Sequence, residues 1–485
     1  MYPQPCLRGS VYQGGVPDPY GGLDQFGRVV DLIWRDCATG QDLVRIGHGY
    51  DRVGNRLWRS DSVARAASMN FDELYAYDGV NQLISMQRGR LNPAQTALVS
   101  TANFAQQWTL DATGNWAGFQ ESDTVSGILM PTLTQNRTSN VVNEIIHFTE
   151  SAGPTWAQPA YDHAGNMTSL PQPAAPTASF TCTYDAWNRL VKVVDASTSN
   201  IVATYAYDGR GFRVLRAGYT SGTLSERRHF FYNSQWQVLE ERIEQSPIPN
   251  PQSLIPSSQY VWGLRYIDDL VLRDCATFIY GNLTERLYAL QYPNWNVVAI
   301  ADPTGAIRER YQYMAYGVRG VLTPAFASIS ATNFDWSYAF TGRPLDLATA
   351  LAGHRWRWYD PTAGVWSNRD PIKAELNLYR YCGVNPLSRT DPLGLCKKGD
   401  RYGSSKDTRI APGQSSNPDE ADFSLNLTII ASASAEVLGM FPSGSEASKV
   451  ETLASDIQGV FDTGGGLDIA KELAGLKTEL EKWRG

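Results

Sequence analysis

Between residues 50 and 215 apolar and polar positions alternate in short runs, and each run stops at a cluster of Asp, Gly and Asn. Tyr50 opens YDRVGNRL, Tyr75 opens YAYDGVNQLI, Leu110 opens LDATGNWAGF, Tyr161 opens YDHAGNMTSL, Tyr184 opens YDAWNRLVKV and Tyr205 opens YAYDGRGFRVL. The stretch IADPTGAIRERYQYMAYG, Ile300 to Gly317, is a later variant with Asp302 and Gly305 in the turn. Period-two alternation predicts strands, and Tyr-x-Tyr places both rings on one face. Asp followed by Gly or Asn predicts a tight turn, because Asp accepts from backbone amides and Gly or Asn accepts positive φ. Each unit therefore reads as one hairpin, too small to bury its own face. Units must stack laterally into one long antiparallel sheet that curls or closes. Their uneven spacing fits an irregular spiral better than equal propeller blades; a propeller or an ordinary β-solenoid is the alternative.

Composition supports this reading. Of 485 residues, 25 are Tyr, 14 Trp, 42 Gly and 26 Pro, the profile of turn-rich β structure. The net charge of -7 disfavours a general nucleic-acid coat, which needs a basic face. Cys6, Cys37, Cys182, Cys275, Cys382 and Cys396 are scattered, so neither a metal knuckle nor a dense disulfide framework is expected. His48, His147, His163, His229 and His354 have no ligand spacing and read as structural or solvated. No phosphate-loop, zinc-protease or dinucleotide fingerprint occurs, so no cofactor and no metal is expected. No apolar run spans a membrane, and MYPQPCLRGSVYQGG lacks the apolar core of a signal peptide.

The units resemble YD repeats of the RHS family, and Phe340 to Leu395 resembles the RHS repeat-associated core domain. The residues that carry the second likeness are FTGRPLD from Phe340, RWYDPTAGVW from Arg357, RDP from Arg369, NLYRYCGVNP from Asn377 and DPLGL from Asp391. The resemblance implies a mainly β fold. A long spiralling antiparallel YD-repeat sheet would form a hollow cocoon, partial or complete, as in Tc toxin C components and teneurin shells. It implies a shell that encloses a variable C-terminal polypeptide, commonly a toxin. The expected divisions are an N-terminal segment 1–40, a YD shell 41–320, the core domain 321–395, a linker 396–422 and a helical C-terminal domain 423–485.

In the family the core cuts its own chain after the last Leu of D-P-x-G-L, using two aspartates and one arginine. Motif matching assigns Arg357, Asp370 and Asp391 to those roles and Leu395–Cys396 to the cleaved bond. The chemistry suits these residue types. Two close carboxylates share one proton, so one activates water while the other polarises the scissile carbonyl. An arginine holds a carboxylate ionised through paired hydrogen bonds. Read without the family, both aspartates are ordinary Asp-Pro turn residues, as Asp360-Pro361 and Asp302-Pro303 are. This chain departs from the family pattern. The loop after RDP is only IKAEL and lacks glycine, ALAGH replaces the usual aromatic run before Arg355, and Val365 stands where Arg is usual. Cys396 raises a thiol nucleophile as another route, but no histidine lies near it in sequence. Trp356, Trp358, Tyr359 and Trp366 are expected to pack the terminal turns of the spiral.

Past Leu395 the composition changes. Residues 396–422 are polar and linker-like. Val450, Leu453, Ile457, Val460 and Phe461 then share one helical face, and Leu467, Ala470, Leu473, Leu476, Leu480 and Trp483 mark another. A helix bundle is the plain reading of this tail and a pore-forming segment the sharper one. The tail contains no His, against His-dependent nucleases. The leading expectation is a toxin-type shell whose partners are its own C-terminal domain as cargo, an immunity protein and a secretion apparatus. It would be secreted or surface-displayed by a route without an N-terminal signal, and cytoplasmic before export. The alternatives are a non-cleaving surface scaffold that binds carbohydrate or protein through exposed aromatics, and an inactive remnant of a larger RHS protein.

Overall fold

The computed structural model describes residues 7–10, 22–36, 38–244, 254–276 and 281–395. The expected linker, the helical C-terminal domain, Cys6, Cys37 and Cys396 lie outside the described residues.

One turn builds most of the structure. An Asp or Asn side chain accepts the N–H of the residues two and four positions on, while its own N–H donates to the carbonyl four positions on. Asp51 does this with Val53 and Asn55, Asp78 with Val80 and Gln82, Asp111 with Thr113 and Asn115, and Asp185 with Trp187 and Arg189. Asp208, Asn233 and Asp302 repeat it. The residue three positions on takes positive φ, which is why Gly54, Asn81, Gly114, Asn188, Gly211 and Gly305 stand there. The tyrosine before the turn reaches back one unit. Tyr77 Oη donates to the Arg56 carbonyl (2.8 Å), Tyr207 to Leu190 (2.8 Å), Tyr232 to Arg213 (2.9 Å) and Tyr313 to Val297 (2.7 Å). In the first three the acceptor is the first residue after the preceding Asp turn, and Val297 follows the turn at 292–296. The tyrosine and aspartate of the repeat thus have separate tasks: one locks neighbouring units, the other shapes the turn.

Strands joined by these turns pair in chain order, antiparallel throughout. A ten-stranded sheet runs from Leu7–Ser10 to Ile145–Ala152, and a fifteen-stranded sheet from Ala160–Tyr161 to Ser328–Ile329. Between them lies SAGPTWAQPA, where positive-φ Gly153 and two prolines interrupt the ladder. A side chain bridges the gap. Gln158 accepts the Phe148 N–H at 2.8 Å and donates to the Phe148 carbonyl at 3.2 Å, taking the place of a strand partner. Trp156 packs edge-on against Phe148 and keeps the crossing buried.

The segment after Ile329 is largely irregular, with a small three-stranded sheet of Ala352–His354, Arg357–Asp360 and Val365–Trp366. Its rings, Trp336, Tyr338, Phe340, Tyr359, Trp366 and Tyr381, form one apolar cluster with Trp108, Trp116, Phe230, Tyr260 and Tyr311 of the two sheets. It is also stitched to the repeat turns. Asn385 Nδ2 donates to Asn55 Oδ1 and to the Asn81 carbonyl, both at 2.9 Å, and Asn377 Nδ2 donates to Asn115 Oδ1 at 2.7 Å. Tyr359 and Trp366 are fully buried and Trp358 nearly so, as expected. Trp356 differs: it is 41% exposed, because the backbone of Arg355–Arg357 turns its ring outward onto Gly211 and Trp236.

Asp360 caps its turn by accepting the N–H groups of Thr362 and Ala363, yet burial pushes its carboxyl up to about 6 despite those bonds and the nearby Arg137. Above its ordinary pKa the unfolded chain has lost this proton while the folded chain still holds it. The contribution is therefore full below about pH 4 and lost as pH rises through 6. A difference of that size between the folded and unfolded chains corresponds to about 3 kcal/mol. Unfolding of Asp360→Asn, compared with the unaltered chain between pH 4 and 7.5, should show a stability difference that moves by up to that amount in favour of the variant. A difference independent of pH would remove Asp360 as the cause.

Candidate functional site

Arg357 and Asp391 meet at one strand start. Residues 354 to 357 face residues 391 to 394, and each holds one carbonyl. His354 Nδ1 lies 2.7 Å from the Asp391 carbonyl. Arg355 Nη1 donates to the Pro392 carbonyl, the Trp356 N–H to that of Leu393 at 3.0 Å, and Arg357 Nε to that of Gly394. Gly394 permits this approach. It has φ +73°, and a Cβ there would stand 3.2 Å from the Arg357 nitrogen and the His354 oxygen. Four successive carbonyls are thus held, and the next peptide group belongs to Leu395.

Arg357 is the centre of this arrangement. Besides Gly394, its Nη1 donates to the Leu378 carbonyl at 3.0 Å, its Nη2 lies 3.6 Å from Asp391 Oδ2, and its guanidinium sits 4.1 Å from the Trp366 ring. The Arg357 and Asp391 side chains are each 2% exposed. At such burial an uncompensated charge is costly, so arginine and aspartate sustain each other. The Asp391 Oδ1 atom accepts the Leu395 N–H at 2.9 Å, with Gly394 at positive φ between them. DPLGL shares with the repeat turn its bond to the fourth residue and the positive φ before it, and Asp391 is at once a turn residue and the neighbour of the expected scissile bond.

Asp370 is placed differently. Its carboxylate accepts the N–H of Ile372 at 3.0 Å and of Ala374 at 3.1 Å, so it caps the short IKAEL loop. Lys373 takes the positive φ that glycine takes in the repeat turns. The link to Arg357 runs through one shared acceptor: the Asp370 N–H donates to the Leu378 carbonyl at 3.1 Å, and Arg357 Nη1 bonds the same oxygen. The structure joins Arg357 to Asp391 directly and to Asp370 through the Leu378 peptide. Leu395 is the last described residue of this stretch, and the thiol route at Cys396 lies outside the described residues.

Sequence reasoning passed over two participants. His354 is buried; burial and the Arg343, Arg355 and Arg357 charges hold its imidazole well below the usual range, against the bond to the Asp391 carbonyl. As a neutral ring facing a carbonyl, it carries its hydrogen on Nδ1. Arg355, 2% exposed, joins the Pro392 carbonyl to the buried Asp268, with Nη2 to Oδ1 at 2.8 Å. The substitution of ALAGH for the usual aromatic run was the available signal, since it puts a histidine three residues before the motif arginine.

No family model matches the chain. Among curated proteins it is 24% identical over 394 residues to a double-stranded DNA deaminase toxin A of Burkholderia cenocepacia, covering 75% of this chain and 25% of that one. It is 24% identical over 395 residues to toxin subunit YenC2 of Yersinia entomophaga, covering 74% and 38%. It is 25% identical over 268 residues to the tRNA nuclease WapA of Bacillus subtilis, covering 54% and 10%. The chain thus spans well under half the length of these relatives. Among solved structures it superimposes on TcdB2-TccC3 with a TM-score of 0.58 at 19% identity, covering 80% of this chain and 18% of that one. It also superimposes on the Tc holotoxin pore of Photorhabdus luminescens with a TM-score of 0.55 at 18% identity, covering 78% and 18%. Both likenesses concern the fold.

Proposed function

We propose that this chain, an RHS/YD-repeat protein by its turns and its relatives, acts as a toxin-type shell that frees the polypeptide following Leu395 by cutting its own backbone. The supporting observation is the clamp. Four consecutive carbonyls before the Leu395 peptide are fixed by residues 354–357, and a buried Arg357–Asp391 pair lies beside it. Pre-fixed backbone geometry of this kind removes orientational freedom from the reacting group before chemistry begins.

In this reading Arg357 keeps Asp391 ionised, and Asp391 takes a proton from water. The water oxygen adds to the Leu395 carbonyl carbon, the bond to the Cys396 nitrogen breaks, and the departing amine takes up the proton that Asp391 removed from the water. Asp370 is the second carboxyl. To reach the scissile carbonyl it must give up one or both amides of the IKAEL loop, so the short loop sets the rate rather than the possibility of cleavage. The relatives' names place deaminase and nuclease activities among proteins of this kind. The released polypeptide here is proposed to be an effector of the same general class, exported with its shell.

Intact mass of the purified full chain tests the reading. The expected result is two species, one ending at Leu395 and one of residues 396–485. A single uncleaved species after prolonged incubation would overturn it and favour the scaffold.

A further inference from the structure

We propose that the fully buried Arg56, together with His48 and Arg59, holds a small monovalent anion of the chloride class in the interior of the repeat shell. This inference stands whether or not the chain cuts itself.

The repeat supplies its own comparison. Arg56 stands five positions after the turn aspartate Asp51. Leu83, Trp116, Met167, Leu190 and Val238 hold that position in other units, and all are buried apolar side chains. Arg213 stands there too, but it is only half-buried. Arg56 is 0% exposed, so a guanidinium fills a place that the fold elsewhere fills with hydrocarbon. Burial of a charge requires acceptors and a counter-charge.

The described residues supply neither. The strands Asp42–Tyr50 and Arg56–Asp61 pair with Tyr50 opposite Arg56 and His48 opposite Arg59. Tyr292 gathers the three side chains: its ring stacks on His48 with centroids 6.0 Å apart, and the Arg56 and Arg59 guanidiniums each lie 5.7 Å from its centroid. Within this cluster Nε, Nη1 and Nη2 of Arg56, both ring nitrogens of His48 and Nε of Arg59 have no hydrogen-bond partner among the described residues. Burial keeps the Tyr50, Tyr75 and Tyr77 hydroxyls protonated, and they donate to the Val29 carbonyl, Glu73 and the Arg56 carbonyl. None of them cancels a charge.

The surrounding charges set the ligand's sign and valence. Glu73 is bound by Arg88 at 2.7 Å and lies 3.6 Å from Arg59, and Asp61 lies 3.5 Å from Arg59. These two acids are thus matched by Arg59 and Arg88. Arg310, whose charge also reaches Asp61, lines a surface cleft with Asp42. Arg28, over the Tyr50 ring, is paired with Asp24 at 2.6 Å. Asp51 caps its own turn through the Val53 and Asn55 amides. Burial and the two arginine charges hold His48 neutral, so it offers one N–H and no charge. The charge of Arg56 is left over. Water satisfies the donors but leaves that charge, and a dianion such as sulfate would add a second buried charge of the opposite sign. A monoanion meets both requirements.

The test is thermal melting of the full chain after prolonged dialysis into sodium chloride, bromide or gluconate at one ionic strength. An anion that binds only the folded chain raises its melting temperature with concentration. Chloride and bromide are expected to raise it saturably, by several degrees over gluconate. Arg56→Leu, which installs the side chain that Leu83 and Leu190 supply in other units, should melt alike in all three salts. Crystals of the unaltered chain grown in bromide give a reading that needs no variant: an anomalous peak within hydrogen-bond reach of the Arg56 guanidinium is expected. Equal melting of the unaltered chain in chloride and gluconate, a chloride effect that survives in Arg56→Leu, or no bromide at Arg56 would overturn the proposal.

Discussion

Asp391→Asn should leave the chain at full mass under conditions where the unaltered chain yields the 396–485 fragment. The expected loss of rate is about 10²- to 10⁴-fold, the usual worth of a positioned acid or base. Asparagine is the informative substitution because the turn does not need the charge. Its side-chain oxygen can still accept the Leu395 N–H, as Asn233 does for Gln235 and Gln237 in a repeat turn. The main cost of folding would come from Arg357, which loses its carboxylate but keeps the Gly394 and Leu378 carbonyls. Cleavage should therefore fall far more than thermal stability. Asp370→Asn is a harsher change to the loop, since one of its two amide bonds must be lost. Its melting temperature should drop along with the rate. If Asp391→Asn cuts as fast as the unaltered chain, no carboxylate at 391 takes part and the proposed mechanism fails.

The repeat was legible because one turn does all the punctuation. Asp or Asn at the first position and Gly or Asn at the fourth satisfy a single pattern of backbone bonds, so six quoted copies sufficed to predict hairpins stacked in chain order. The task of the tyrosine was hidden. Alternation put its ring on the buried face, but only coordinates reveal that its hydroxyl closes onto the preceding unit. The crossing at SAGPTWAQPA could be seen as a break and not as a bridge, since nothing local says that Gln158 will stand in for a strand.

The site was legible only in part, for a related reason. Motif order singled out Arg357, Asp370 and Asp391, yet reading Asp-Pro as a turn was equally sound, and the geometry makes all three structural while joining only Arg357 and Asp391 directly. His354 and Arg355 escaped notice because their roles come from facing a segment 37 residues away in sequence. Trp356 was expected to pack the terminal turns of the spiral, whereas its backbone N–H is what the site uses and its ring is 41% exposed. Long-range pairing of irregular segments has no periodic signature, so residue type alone could not separate clamp from core.

Arg357→Ala should be among the most damaging single changes in the described structure, costing about 3–5 kcal/mol, the range for breaking a buried ion pair. The substitution removes donors from the Gly394 and Leu378 carbonyls, takes the counter-charge from a carboxylate that is 2% exposed, and empties the face of Trp366. Arg357→Lys separates charge from geometry. An ammonium can restore a positive charge near Asp391 but cannot span Gly394, Leu378 and Asp391 together, because it lacks the planar fork. Lysine should therefore recover part of the stability lost in alanine while cleavage stays close to the alanine level. Denaturant unfolding at neutral pH and fragment yield by mass, measured on both variants, give the two readouts. Equal stability of lysine and alanine would mean that the hydrogen bonds, not the charge, hold this region together. Full cleavage in lysine would mean that charge alone suffices and that the clamp is scaffolding. The expected split, stability following charge and cleavage following shape, is what a site requires when one arginine both compensates a buried acid and fixes the peptide to be cut.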